Sequence, residues 1–186
     1  ALSIFGDHSD IYATRQTGFC MLASANPQEC YHMASIAHLS AIKGSLPFLH
    51  FFDGFRTSHE LNVVEQLEEG DLLSLIDKER LEEWKSRCLN LNTKKQYGMG
   101  ETEDIYFQSV EARSELYNQI PDIVNYYMKE INHLANTDYK PFTYYGSPDA
   151  QNIIIAMGSI TDTIRLVVDE ELKKGQKIGV ISVHLY

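Results

Sequence analysis

Residues 47–60, PFLHFFDGFRTSHE, hold the reading that decides the fold. Phe48 to Phe52 form a short apolar run with one polar break at His50. Asp53-Gly54 ends the run, and Arg56, Thr57, Ser58, His59 and Glu60 follow with almost no apolar content. That is the profile of a buried strand closing into a polar loop. In open α/β sheets, ligands bind on such loops, outside the carboxyl ends of the strands. A plainer account stands beside this one: Asp53-Gly54 is only a turn, and Arg56 pairs locally with Glu60.

Upstream, Phe19 to Ala25 reads as a strand and Asn26 opens a helix. Asn26 suits the N-cap, Pro27 the first helical position, and Glu29 the acid of a capping box. The helix runs to about Lys43, with Gly44 as its stop. Met33, Ala34, Ile36, Ala37, Leu39 and Ala41 cover much of its circumference, so it is packed on more than one side. Strand, helix and strand within about thirty residues make a βαβ unit in a parallel sheet. Further upstream, Ala1 to Phe5 reads as a strand closed by Gly6-Asp7. His8 to Gly18 reads as a loop with room for a helical turn.

Downstream, Leu61 to Leu67 and Asp71 to Cys88 read as helical, with Leu81, Trp84 and Cys88 on one face. Asn90 to Asp104 is a long polar loop, of the kind that is usually functional, wrapped over a neighbour or mobile. Ile120, Val124, Tyr127, Ile131 and Leu134 mark an amphipathic helix with Pro121 near its start. Asn136 to Pro148 reads as a linker. A second βαβ unit follows: a strand at Ile153 to Met157, a helix from Thr161 to Lys174 stopped by Gly175, and a strand from Lys177 to Tyr186. Asp162 at the start of that helix and Lys173-Lys174 at its end agree with the helix dipole.

Composition bounds the function. The chain has 186 residues, with 16 Lys plus Arg against 26 Asp plus Glu, a formal net charge of −10. That disfavours nucleic acid and anionic membranes as partners, since both need clustered basic charge. The longest apolar runs are too short to span a bilayer. Cys20, Cys30 and Cys88 show no cluster spacing and read as reduced thiols of a cytosolic protein. The chain starts within an apolar stretch, ALSIFGD, and stops within another, IGVISVHLY. From this we expect a piece of a larger polypeptide.

Three polar clusters lie beside the strands: Gly6-Asp7-His8-Ser9-Asp10, Thr14-Arg15-Gln16-Thr17-Gly18, and Arg56 to Glu60. Arg15 is the best candidate for an anionic substrate, because a guanidinium grips a carboxylate with two parallel hydrogen bonds. A salt bridge to Asp7 or Asp10 would be its structural alternative. Asp7, His8 and Asp10 suit a metal or an acid–base pair, or else local turn and capping bonds. His59 and Glu60 are open in the same way. Met157-Gly158-Ser159 resembles the start of a phosphate-binding turn but lacks both the dinucleotide glycine spacing and the P-loop lysine.

Four blocks go further than their physics: GDHSDIYATRQTGF, PFLHFFDGFRTSHE, DIYFQSVEA and YYGSPDAQNIIIAMGS. With them the chain resembles the pyruvate:ferredoxin (flavodoxin) oxidoreductases over essentially its whole length. His184 stands where an arginine is common in that family, and Tyr144-Tyr145 departs slightly from its aromatic pattern. The resemblance implies oxidation of pyruvate with coenzyme A to acetyl-CoA and carbon dioxide, with electrons passed to ferredoxin or flavodoxin. It implies an α/β fold. Residues 1–139 would be part of the pyrimidine-side thiamine-diphosphate module, and 140–186 the start of a transketolase-C-terminal-like three-layer domain. Arg15 would bind the pyruvate carboxylate.

The family's thiamine-activating acid would precede Ala1, and its Mg2+-diphosphate site and [4Fe-4S] cysteines would follow Tyr186. The piece alone would then bind no cofactor and be inactive. The parent would be a homodimer, cytoplasmic or in an anaerobic energy organelle. Alternatives from the sequence are the same module of another 2-oxoacid oxidoreductase or of a pyruvate:NADP oxidoreductase, and a non-catalytic scaffold.

Overall fold

The computed structural model describes residues 3, 6–59, 61–92, 94, 98 and 100–186. The strand expected at Ala1 to Phe5 and the Arg56–Glu60 pair fall on residues outside that set. Among the described residues the chain is a mixed α/β structure with two sheets.

The first sheet is the βαβ unit expected around residue 50. Strand β1 (Cys20–Ser24) pairs in parallel with β2 (Phe48–Phe52), Leu22 opposite His50. The polar break in β2 is satisfied: His50 Nε2 lies 2.8 Å from Ser24 Oγ. Helix α2 (Pro27–Gly44) connects the strands. Asn26 caps it, its Oδ1 accepting from Glu29 N–H at 3.0 Å. The Glu29 carboxylate reaches back to Ala25 N–H at 2.7 Å, one residue before the cap. At the other end Gly44 is the last helical residue rather than the stop. Ser45 takes the left-handed cap, with φ 54°.

Gly44 serves packing instead. A Cβ there would stand 2.7 Å from Ile120 Cδ1. Ile120 belongs to α6 (Glu103–Ala135), a 33-residue helix about 50 Å long. Its buried residues are Ile120, Val124, Tyr127, Met128 and Ile131, which pack on Met33, Ile36 and Ala37 of α2. The helix therefore begins far upstream of the expected start. Its first half leaves Ile105, Tyr106 and Phe107 exposed and has no buried stripe to betray it. Pro121 lies inside the helix, where it cannot donate to the Tyr117 carbonyl.

Residues 61–67 form neither helix nor strand. Side chains of α2 hold their backbone: Gln28 bonds Glu65 N–H and C=O at 2.8 and 3.1 Å, and Tyr31 OH accepts from Leu67 N–H at 3.1 Å. The single helix expected over 71–88 is two, α4 (Glu69–Ser74) and α5 (Lys78–Arg87). Asp77 breaks them, capping α5 through Arg80 N–H while its other oxygen pairs with Lys43 at 2.8 Å.

The second sheet has the order β3–β5–β4. Strand β4 (Asn152–Ala156), helix α7 (Ile160–Lys173) and parallel β5 (Ile178–Val183) are the expected second βαβ unit. The segment read as a linker contains a strand, β3 (Phe142–Gly146), antiparallel to β5. The chain after β5 leaves that sheet. Leu185 bridges to Leu22 of β1, with Ala23 N–H donating to His184 O and Tyr186 N–H to Met21 O. The last residues thus join the edge of the first sheet.

Candidate functional site

The polar segment after β2 is not a loop throughout. Phe55–His59 forms a one-turn helix, α3. Its side chains are engaged: Thr57 donates to Ala25 O, 32 residues away, at 3.3 Å, and Ser58 Oγ lies 2.6 Å from His59 Nδ1. His59 also stacks on Phe55, ring centroids 5.9 Å apart.

Asp53, which the sequence offered only as a turn residue, is the junction of the site. It is buried, and His8 Nε2 stands 3.0 Å from its Oδ1. Its Oδ2 accepts the Ser159 N–H at the start of α7. Gly158 makes this approach possible. With φ 84° it sits in the left-handed region, and a Cβ there would fall 2.8 Å from both Asp53 Oδ1 and His8 Nε2. The carboxyl ends of β2 and β4 therefore meet at one carboxylate. The turn at Gly158-Ser159, where the sequence resembled a phosphate site, is already occupied by the Asp53 side chain. What could have signalled Asp53 is its place as the first polar residue past a strand's carboxyl end.

His8 leads into helix α1 (Ser9–Thr14), which fills the region expected to be a loop. Ile11 is buried against Met21, Ala23 and Phe51. Asp7 and Asp10 make the turn bonds that were one of the two expectations for them. Asp7 accepts from Ser9 N–H at 2.8 Å, and Asp10 from Ile11 N–H at 2.8 Å. The Ser9 side chain and backbone hold the Asp7 carboxyl below its ordinary range.

Arg15 follows α1 and is exposed. Its Nη1 donates to Tyr12 O at 2.9 Å, and among the described residues no carboxylate pairs with it. No salt bridge to Asp7 or Asp10 forms among the described residues; each acid accepts a neighbouring backbone N–H, and Arg15 donates to Tyr12 O. The far end of this segment is pinned as well: Tyr117 OH donates to Gly18 O at 2.7 Å, a partner 99 residues away that no local pattern announces.

Among the described residues, no three His, Cys, Asp or Glu side chains gather as a metal ion would need. Burial pushes the Cys20 and Cys30 thiols up to about 11. A polar cavity of about 150 Å³ lies between the starts of α2 and α7, lined by Asn26, Arg56, Thr57, Ser159 and Asp162. That is well below the roughly 300 Å³ at which cofactor-sized sites begin.

The family described as "Pyruvate flavodoxin/ferredoxin oxidoreductase, thiamine diP-bdg" matches residues 1–129. The pyruvate-flavodoxin oxidoreductase of Klebsiella pneumoniae is 46% identical over 186 residues, all of this chain and 16% of that protein. The pyruvate:ferredoxin oxidoreductase of Moorella thermoacetica is 44% identical over the same span, again 16% of its length. The mitochondrial pyruvate dehydrogenase [NADP(+)] of Euglena gracilis is 41% identical, with 10% of its length covered. The chain thus spans about a sixth or less of these relatives.

Proposed function

The chain belongs to the pyruvate flavodoxin/ferredoxin oxidoreductase family, and from that premise we propose that it serves as the pyrimidine-side part of a thiamine-dependent pyruvate oxidoreductase. That enzyme would convert pyruvate and coenzyme A to acetyl-CoA and carbon dioxide and pass electrons to ferredoxin or flavodoxin. The division of the chain at residues 139/140 belongs to this reading. It is supported by the end of the family match at residue 129 and by the confinement of the second sheet to 142–183. A homodimer, placed in the cytoplasm or an organelle, completes it. The name of the Euglena relative supports the organelle option, and no described helix is long and apolar enough to cross a membrane.

The family's description names thiamine diphosphate, which supplies the carbon nucleophile for the pyruvate carbonyl when bound. Among the described residues, the start of α7 does not fit its Mg2+-diphosphate end. The α7 start is taken by Asp53, and the nearby cavity is too small. The three cysteines are equally unsuited to a [4Fe-4S] cluster. Those groups belong, on this reading, to other parts of the longer protein.

The chain's own contribution is substrate binding by Arg15. The observation that carries it is an exposed guanidinium with one donor on Tyr12 O and no acid partner among the described residues, although Asp7 and Asp10 lie near it in sequence. A charge-assisted hydrogen bond contributes roughly 1.5–3 kcal/mol. Arg15→Ala in the full-length enzyme should therefore lower kcat/KM for pyruvate by roughly ten- to a few-hundredfold. Arg15→Lys should rescue little, since a point charge cannot reproduce the planar fork. Loss in KM alone would mean ground-state positioning; loss in kcat as well would mean orientation for attack. Wild-type kcat/KM in folded Arg15→Ala would sink the assignment.

A pyruvate:NADP oxidoreductase is the second reading, favoured by the full-chain match to the Euglena protein. Assaying the full-length protein with NADP+ and with ferredoxin as acceptors separates the two.

A further inference from the structure

We propose that Asp53 is a positioning residue for Arg15, anchored in turn by the N-terminus of α7. The proposal rests on the assignment of Arg15 to the substrate carboxylate.

Helix α1 has six residues and no side-chain cap. A helix that short has no stability of its own in water, so tertiary contacts must set its direction. Three are present. Ile11 is buried in the small apolar cluster with Met21, Ala23 and Phe51. The His8 ring meets Phe51 edge-on at 5.4 Å and Asp53 Oδ1 at 3.0 Å. Tyr12 meets Tyr186 edge-on at 5.7 Å. Of these, the His8–Asp53 bond is the directional one at the helix entrance, and Tyr12 O is the acceptor that orients Arg15.

Asp53 is itself held by a part of the chain 106 residues away, through Ser159 N–H. A carboxylate at a helix start is favoured by the free N–H groups and the dipole there. The order of constraint is therefore α7, Asp53, His8, α1, Arg15. Together with Tyr186 this makes the second unit share in setting where the guanidinium points. A guanidinium displaced by about 1 Å loses a large part of its effect on rate.

The test uses the full-length enzyme and a double-mutant cycle. Asp53→Asn should lower kcat/KM for pyruvate roughly tenfold in the wild-type background. In the Arg15→Ala background it should change kcat/KM by less than about twofold, the scatter expected of a residue with nothing left to position. Where Asp53→Asn does not fold, His8→Leu and His8→Gln carry the same cycle. Leucine should reproduce the loss, and glutamine, whose amide can still donate to Asp53, should restore most of it. Equal losses in both backgrounds, or no loss at all in folded Asp53→Asn and His8→Leu, would overturn the proposal. Wild-type kinetics in Arg15→Ala alone would instead overturn the carboxylate assignment beneath it.

Discussion

Glu29 Oε2 and His184 Nε2 lie 3.5 Å apart in a buried seam between the start of α2 and the chain beyond β5. His184 Nδ1 is held by Lys140 O at 2.9 Å, and Glu29 also accepts the Ala25 N–H. Burial pushes the Glu29 carboxyl up. The hydrogen bond and charge of His184, the Ala25 N–H and the charge of Arg165 outweigh burial and leave it below its ordinary 4.5.

The first prediction follows from that depression. A carboxyl with a lowered folded pKa adds stability above its unfolded value and loses it as pH falls through the folded one. Stability should therefore fall off below about pH 4.5, the ordinary carboxyl range, as Glu29 takes up a proton. Glu29→Gln should cost roughly 1–3 kcal/mol at pH 7 and flatten the acid side of the curve. Urea unfolding at several pH values measures both. An unchanged acid slope in the variant would show that other carboxylates carry it.

Gly44→Ala tests the close contact of α2 with α6. Alanine gains up to about 1 kcal/mol of helix propensity, while overpacking a filled core costs about 1–3 kcal/mol. A net loss of about 1 kcal/mol is expected, because Ile120 is 4% exposed and has little room to yield. Ile120→Val removes the clashing Cδ1, so the double variant should lose less than the sum of the singles. Additive losses by chemical denaturation would place the cost elsewhere.

Limited proteolysis should first cut near Leu89–Leu91, which are 68% and 98% exposed. The segment after α6 should resist. Asn132 clasps it, its Oδ1 accepting from Thr137 Oγ1 and Tyr139 N–H and its Nδ2 donating to Tyr139 O. Strand β3 then pairs with β5. Early cleavage between 136 and 148 would restore the view of that stretch as an open linker.

Titration calorimetry of this chain alone with thiamine diphosphate and Mg2+ should give no low-micromolar binding. The α7 start is occupied, and the cavity beside it is small. A dissociation constant in the low micromolar range would mean that a cofactor site is complete within these residues.

The sequence by itself determined the local grammar of this protein. Asn26-Pro27 and Glu29 start α2 because an N-cap, a fixed φ and a first-turn acid act within a few residues. The apolar run at Phe48, the isoleucines at 153–155 and the glycine at 175 mark strands and a helix end for equally local reasons. The stripe from Ile120 to Ile131 shows the buried half of α6 and cannot show the exposed half, where burial imposes no period. The tertiary structure alone decided the rest. It made β3 from a stretch rich in turn residues by giving it β5 as a partner. It split residues 71–88 by drawing Asp77 to Lys43. It placed His8, Asp53 and Ser159 together across 151 positions of chain by their numbers. Hydrogen bonds between such distant groups depend on how sheets and helices stack, and no spacing within one segment encodes that.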